Sequence, residues 1–246
     1  MHLTSVHVHS DAFPTKERYP FAQDVLQDNP TIPLQRPVTF FVGENGTGKS
    51  TLLRAIAHRC HIPIWEYETT THVDRNPFRD MLYRFLTVTW VDGPVPGSFF
   101  GSETFRDWCK LLDEWAVDDP GQLRYFGGRS LLTLSHGQSL MAYFRSRYEI
   151  PGLYLLDEPE TALSPRSQIE LVRLIDEMGR RGHAQFIVAT HSPILLACPD
   201  AQILSFDRAP LCAVAYEDTD HYRVYRSFLQ APQASVRETH AEGGVP

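Results

Sequence analysis

The chain has 246 residues and a formal net charge of −7, enough length to bury a substantial core in one large α/β domain or two small ones. Its ordinary composition argues against a fibrous or disordered protein, and the acidic balance argues against a broadly basic nucleic-acid surface. The four cysteines are scattered without a CxxC pair, so no zinc site or disulfide framework is supported, and no apolar run approaches the ~18 residues that span a bilayer. Met1–Ser5 lacks signal-peptide character, and the expectation is a soluble, cytoplasmic chain.

Leu3 to His9 alternates apolar and polar residues as a half-buried strand does, and a proline-punctuated loop follows through Pro37. The apolar run Val38–Val42 reads as a buried strand, and a helix over Lys49–Cys60 carries Leu52, Leu53, Ile56 and Ala57 on one face. A strand-like Phe85–Val91 lies in an aromatic-rich stretch. The recurrence of Phe105, Trp108, Leu111, Leu112 and Trp115 then predicts an amphipathic helix capped by Ser102, its aromatic stripe read as core. From residue 131 a regular α/β rhythm returns. It predicts a helix from Ser135 to Tyr148, a strand Leu153–Leu156, a helix Arg166–Arg180 stopped at Gly182, and a strand Gln185–Thr190. Two further strand-like runs, Ala201–Phe206 and Leu211–Tyr216, precede a short helix near His221–Leu229. The apolar-poor tail, residues 231–246, is expected to be disordered.

Chemistry concentrates first at Gly43-Glu44-Asn45-Gly46-Thr47-Gly48-Lys49-Ser50-Thr51, which fits the phosphate-binding pattern G-x-x-x-x-G-K-[ST] with a strand before it and a helix after it. The glycines let the backbone curl so that several N–H groups point into one concavity at a helix N-terminus, a cradle for anions. Lys49 supplies a point charge for the β- and γ-phosphates, and the Ser50 hydroxyl is placed to ligate Mg²⁺. The chain is therefore expected to bind a nucleoside triphosphate. An apolar strand ending in Asp157-Glu158 supplies the acidic partner that such a magnesium needs, with Asp157 on the metal and Glu158 one residue on, facing the other way, able to take a proton from attacking water.

Leu134-Ser135-His136-Gly137-Gln138 resembles the LSGGQ signature of ABC-type ATPases, at a fitting interval before Asp157; His136 departs from the glycine of the transporter consensus. Asp157-Glu158-Pro159-Glu160-Thr161-Ala162-Leu163-Ser164-Pro165 resembles that family's Walker B strand running into its D-loop, and Thr190-His191-Ser192-Pro193 resembles its switch histidine. The wording is similar to small stand-alone bacterial ATPases of the SMC-like, RecF-like and OLD-like branch. Between Thr51 and Leu134 there is no room for a long coiled coil, and a bare head without an appended nuclease-like domain is expected.

The resemblance implies an α/β P-loop NTPase fold, a mixed or parallel sheet flanked by helices, in a single domain over residues 1–230 with an inserted, mainly helical lobe at about 61–133. It implies ATP and Mg²⁺ as cofactors, and a homodimer formed on ATP binding in which Ser135, Gly137 and Gln138 of one subunit meet the γ-phosphate held by the other. It makes Lys49, Glu158 and His191 catalytic and Ser50 and Asp157 the metal ligands. The family's Q-loop is poorly matched: Ser98–Glu103 is the best positional candidate, with Glu103 in the polar role. Phe13, Tyr19 and Phe21 are open candidates for stacking on the base. The weak Q-loop favours a soluble ATPase acting on an unidentified protein or nucleic-acid partner. The alternative is the nucleotide-binding subunit of a membrane transporter.

Overall fold

The computed structural model describes residues 1–28, 31–65 and 76–233. In chain order its elements are β1 (Leu3–Val8), α1 (Asp24–Gln27), β2 (Thr31–Pro33), β3 (Val38–Val42), α2 (Lys49–Arg59), β4 (Leu86–Trp90), β5 (Gly97–Gly101), α3 (Phe105–Asp118), α4 (His136–Tyr148), β6 (Gly152–Asp157), α5 (Pro165–Arg180), β7 (Ala184–Ala189), α6 (Pro193–Leu196), β8 (Gln202–Ser205), β9 (Cys212–Ala213) and α7 (Asp220–Gln230). The expected tail falls almost wholly outside the described residues.

Two sheets result. The larger runs β5-β6-β7-β3-β8-β9, parallel throughout except for the antiparallel edge strand β9; the smaller is the antiparallel β2-β1-β4. β3, β6 and β7 are buried along their whole length. That is why they read as continuous apolar runs: a parallel strand is covered on both faces. Alternate residues divide between two cores. Phe40, Tyr154, Leu156, Phe186 and Val188 pack with α3, α4 and α5, whereas Phe41, Leu153, Leu155 and Ile187 pack with α2 and the small sheet.

The expected lobe over 61–133 is more divided than its aromatic-rich sequence suggested. Its first strand, β4, pairs with β1 in the small sheet, and β5 pairs with β6 in the large one, so the helical part begins at Phe105. Thr104 rather than Ser102 is the residue before α3, and its hydroxyl donates to the Gly101 carbonyl. The stripe is core at one end only. Phe105 and Leu112 are buried and Trp108 packs against the core, but Trp115 is 40% exposed and meets Trp65 edge-on.

Buried glutamines tie the layers together. Gln185 Oε1 accepts from the amides of His2 and Leu3 at 2.7 Å each, and its Nε2 donates to the Leu3 carbonyl at 2.7 Å, joining β7 to the start of β1. Gln202 accepts from the Gln35 amide and donates to the Pro33 carbonyl, holding the exit of β2 against β8.

Candidate functional site

Register decides the site. Phe41 pairs with Ala189 and Ala189 with Asp157, so β3, β7 and β6 end in one row. The three sequence motifs leave that row together at the carboxyl edge, where ligands sit in open α/β sheets. Gly43 follows β3, His191 follows β7, and Glu158 follows β6.

The loop over residues 43–48 curls through positive φ at Gly43, Gly46 and Gly48 and enters α2 at Lys49. Gly48 is the position that most needs glycine. Its φ is +105°, and a Cβ would lie 2.5 Å from Gln23 Oε1. Thr47 Oγ1 donates to the Glu44 carbonyl, the Glu44 amide donates to Asp207 Oδ1 at 2.8 Å, and Glu44, Asn45 and Gly46 are exposed. Lys49 Nζ lies back across the loop, donating to the carbonyls of Gly43 (2.6 Å) and Glu44 (2.8 Å). Burial pulls the Lys49 pKa down, against the opposing pull of Glu158, Asp207, Asp157 and Glu44, so these carboxylates converge on its charge. Thr51 Oγ1 pairs with the Tyr19 hydroxyl at 3.0 Å.

Ser50 Oγ donates to Asp157 Oδ1 at 2.7 Å. Burial raises the Asp157 pKa, and the Ser50 hydrogen bond and Arg54 oppose the rise. A hydroxyl and a carboxylate oxygen side by side are the hard donors that would suit a magnesium ion. Glu158 sits in the left-handed region at φ 48°, ψ 54°, a conformation that costs a non-glycine residue about 1–2 kcal/mol. It is held there by its amide, which donates to the Ala189 carbonyl, and by Thr161, whose hydroxyl donates to the Glu158 carbonyl. The twist places its carboxylate 3.7 Å from His191 Nε2. Burial lowers the His191 pKa, with Lys49 and His221 acting the same way, so the imidazole is neutral at pH 7.

Two families match the chain. One, described as "AAA domain, putative AbiEii toxin, Type IV TA system", covers residues 121–197 and so takes in Ser135, Asp157, Glu158 and His191; another, described as "AAA domain", covers residues 21–58 and takes in the loop at Gly43–Thr51. Among curated proteins, the hemin import ATP-binding protein HmuV of Bradyrhizobium diazoefficiens is 33% identical over 53% of this chain and 55% of its own length. HmuV of Rhodopseudomonas palustris is 29% identical over 60% of this chain and 61% of its own. The ferric enterobactin transport ATP-binding protein FepC of Escherichia coli is 29% identical over 58% of each. The chain thus carries matches to AAA-type P-loop ATPase domains and has ABC ATP-binding homologues. It spans a little over half the length of the first two of these relatives. Similar solved structures include cbiO1 from Clostridium perfringens (16% identity, TM-score 0.48, 97% of this chain and 100% of that one) and an SMC head bound to ScpA (14% identity, TM-score 0.49, 76% and 93%).

The signature-like segment opens α4. Ser135 caps α4 in a reciprocal box: its hydroxyl accepts from the Gln138 amide at 3.4 Å, and Gln138 Oε1 accepts from the Ser135 amide at 3.1 Å. Ser135, His136 and Gln138 are exposed, and the His136 ring packs edge-on to Phe105. Gly137 faces the Ala162 carbonyl, which a Cβ would approach to 3.3 Å, so the signature helix rests on the segment after Asp157. Glu103 is exposed two residues beyond β5, whose Gly101 pairs with Asp157, so Ser102-Glu103 leave the same edge beside the acidic pair. Of the base-stacking candidates, Phe21 is fully buried and Phe13 packs on Phe21 and Phe85, while Tyr19 is 45% exposed beside Thr51.

Several residues that complete the site had no assigned part in the sequence. Glu160 Oε1 accepts from the His191 amide at 2.7 Å and so fixes the loop after β7. Ser192 Oγ donates to Gln168 Oε1 at 2.6 Å while Gln168 Nε2 donates to the Leu163 carbonyl, tying that loop to the start of α5. His221 Nε2 lies 3.0 Å from His191 Nδ1. Glu160 was visible within the DEPE run; a histidine thirty residues beyond His191 gave no signal at all.

Proposed function

We propose that this chain binds ATP with Mg²⁺ and hydrolyses it in a head-to-tail dimer, serving as the nucleotide-binding subunit of a membrane import system. The observation that carries the ATPase reading is the convergence of Lys49, the Ser50–Asp157 pair and the Glu158–His191 pair on one sheet edge. In this reading the amides of Gly43–Thr51 cradle the phosphates, and Lys49 turns from the Gly43 and Glu44 carbonyls to the β- and γ-oxygens. Ser50 and Asp157 hold Mg²⁺, which when bound neutralises charge on the phosphate oxygens. Glu158 orients and deprotonates the attacking water, and His191 donates to the γ-phosphoryl oxygens as charge develops there. The exposed Ser135 cap, with Gly137 and Gln138, is turned outward to serve the triphosphate of a second subunit. Positioning and charge neutralisation do most of the catalysis.

The import role rests on the relatives, whose names describe ATP-binding proteins of hemin import and of ferric enterobactin transport. That tilts the balance from the soluble partner favoured on sequence toward the transporter alternative. Among the described residues no helix is long and apolar enough to cross a membrane, so a permease would be a separate chain or segment. One observation favours the soluble reading: Glu103, not glutamine, follows β5 at the Q-loop position. The test is affinity capture of Glu158→Gln from detergent-solubilised cells in the presence of ATP. A polytopic membrane protein captured in stoichiometric amount supports import; a soluble protein or nucleic acid in its place overturns it. Lys49→Ala is expected to lose ATP binding and turnover, and unchanged activity would refute the ATPase reading.

A further inference from the structure

His191 and His221 form a pair that the proposed reaction does not yet use. His191 leaves β7; His221 lies in the first turn of α7, whose N-terminus is fixed by the buried Thr219, its hydroxyl accepting from the Tyr222 amide at 3.2 Å. The rings approach with centroids 5.2 Å apart and share one hydrogen bond, His191 Nδ1 to His221 Nε2, at 3.0 Å. The outer nitrogens, His191 Nε2 and His221 Nδ1, are buried without a hydrogen-bond partner. His191 Nε2 looks instead at Glu158 Oε1, 3.7 Å away. Burial lowers the pKa of both rings, so one neutral imidazole donates to the other.

Which ring donates follows from electrostatics. A proton on His191 Nδ1 would leave a lone pair on Nε2 facing the Glu158 carboxylate. A proton on His221 Nε2 makes His191 Nδ1 the acceptor and turns an Nε2–H dipole toward that carboxylate and toward the space beside Lys49. The second arrangement is favoured by the anion, and it alone offers a donor to a phosphoryl oxygen.

We propose that His221 is a positioning residue that locks His191 in the Nε2–H tautomer, so that the ring presents a donor at the γ-phosphate position. The inference deepens the ATPase reading and rests on it. The link also ties α7 to the reacting end of the nucleotide, because α7 packs against α6, the helix that follows His191.

The experiment combines histidine-ring ¹⁵N NMR on the full chain with steady-state kinetics. Wild type is expected to show His191 protonated on Nε2 and bare on Nδ1. His221→Ala should give a mixture of tautomers, a kcat lower by about tenfold, and nucleotide-analogue affinity within about twofold of wild type. His221→Gln keeps an N–H donor at the Nε2 position, and should restore both the tautomer and most of kcat. Combining His221→Ala with His191→Ala should be no slower than His191→Ala alone. A wild-type His191 protonated on Nδ1 overturns the proposal, and so does a fully active His221→Ala; the first result stands even where the alanine variant fails to fold. Wild type without any ATPase activity refutes the ATPase reading, whereas turnover with an unchanged His191 tautomer in His221→Ala removes this inference alone.

Discussion

Ser50 Oγ donates to Asp157 Oδ1 across 2.7 Å, joining the first turn of α2 to the last residue of β6, 107 positions away in sequence. The contact needs two strands to end level, and the pairing of both Phe41 and Asp157 with Ala189 supplies that. Asp157→Asn is therefore expected to lower Mg²⁺-dependent turnover at least about a hundredfold, by weakening a metal contact. Burial holds the Asp157 pKa above 3.8, so its contribution to stability is fully present below that pH and is lost as pH rises through the folded pKa. The asparagine variant should accordingly melt no lower than wild type at pH 7 without nucleotide. Calorimetry beside an ATPase assay checks both statements, and a large loss of melting temperature would mean that Asp157 is chiefly structural.

Glu158→Gln keeps the shape of the side chain and removes its basicity. It should slow hydrolysis by about a hundredfold or more, the scale of a general base, and accumulate an ATP-bound dimer. Light scattering with and without ATP reads the outcome; a variant that remains monomeric while wild type turns over contradicts the head-to-tail arrangement.

Ser135→Arg places a long cation at the exposed cap of α4, whose first turn lies beside the Ala162 carbonyl. Activity should fall at least about tenfold, while nucleotide binding to Gly43–Thr51, measured by calorimetric titration, stays within about twofold. Retained activity would leave the signature without a part in turnover.

Gln185→Ala removes the acceptor for the His2 and Leu3 amides and the donor to the Leu3 carbonyl in a fully buried position. Leaving such groups unsatisfied costs about 2–4 kcal/mol, and for a chain of this length the melting temperature should drop by roughly 5–10 °C. Thermal melts followed by circular dichroism measure it.

His191 and His221 both titrate below the ordinary 6.5, chiefly because burial disfavours the imidazolium. Lys49 acts in the same direction on both rings; Glu158 and Glu44 oppose it at His191, and Asp207, Glu44 and Asp220 at His221. The folded protein thus binds fewer protons than the unfolded chain, and the stability present above pH 6.5 is lost as pH falls below it. Between pH 7 and 5 the wild type should lose more melting temperature than a doubly substituted His191→Gln, His221→Gln chain. Parallel curves would mean that the pair does not feel its burial.

The motifs were readable because each is local. Gly43–Thr51 needs only its own glycines to curl through positive φ, and Val38–Val42, Leu153–Leu156 and Gln185–Thr190 announce parallel strands by being mostly apolar without alternation. Helix α4 could be placed because Ser135 and Gln138 satisfy one another three residues apart. Periodicity also found β4, but it cannot name a neighbour. That β4 belongs to β1 depends on a pairing between residues 78 to 87 positions apart.

The same division governs the site. Residue order alone pointed to a glycine-rich loop of the pattern expected to hold phosphate, an acidic pair and a histidine at a strand end, since those patterns demand particular side chains at short, fixed spacings. Folding decided that Glu158 would twist into the left-handed region, that Glu160 would hold the His191 amide, and that His221 would meet His191. Each depends on a hydrogen bond or contact between elements distant in sequence, which exists only once those elements pack.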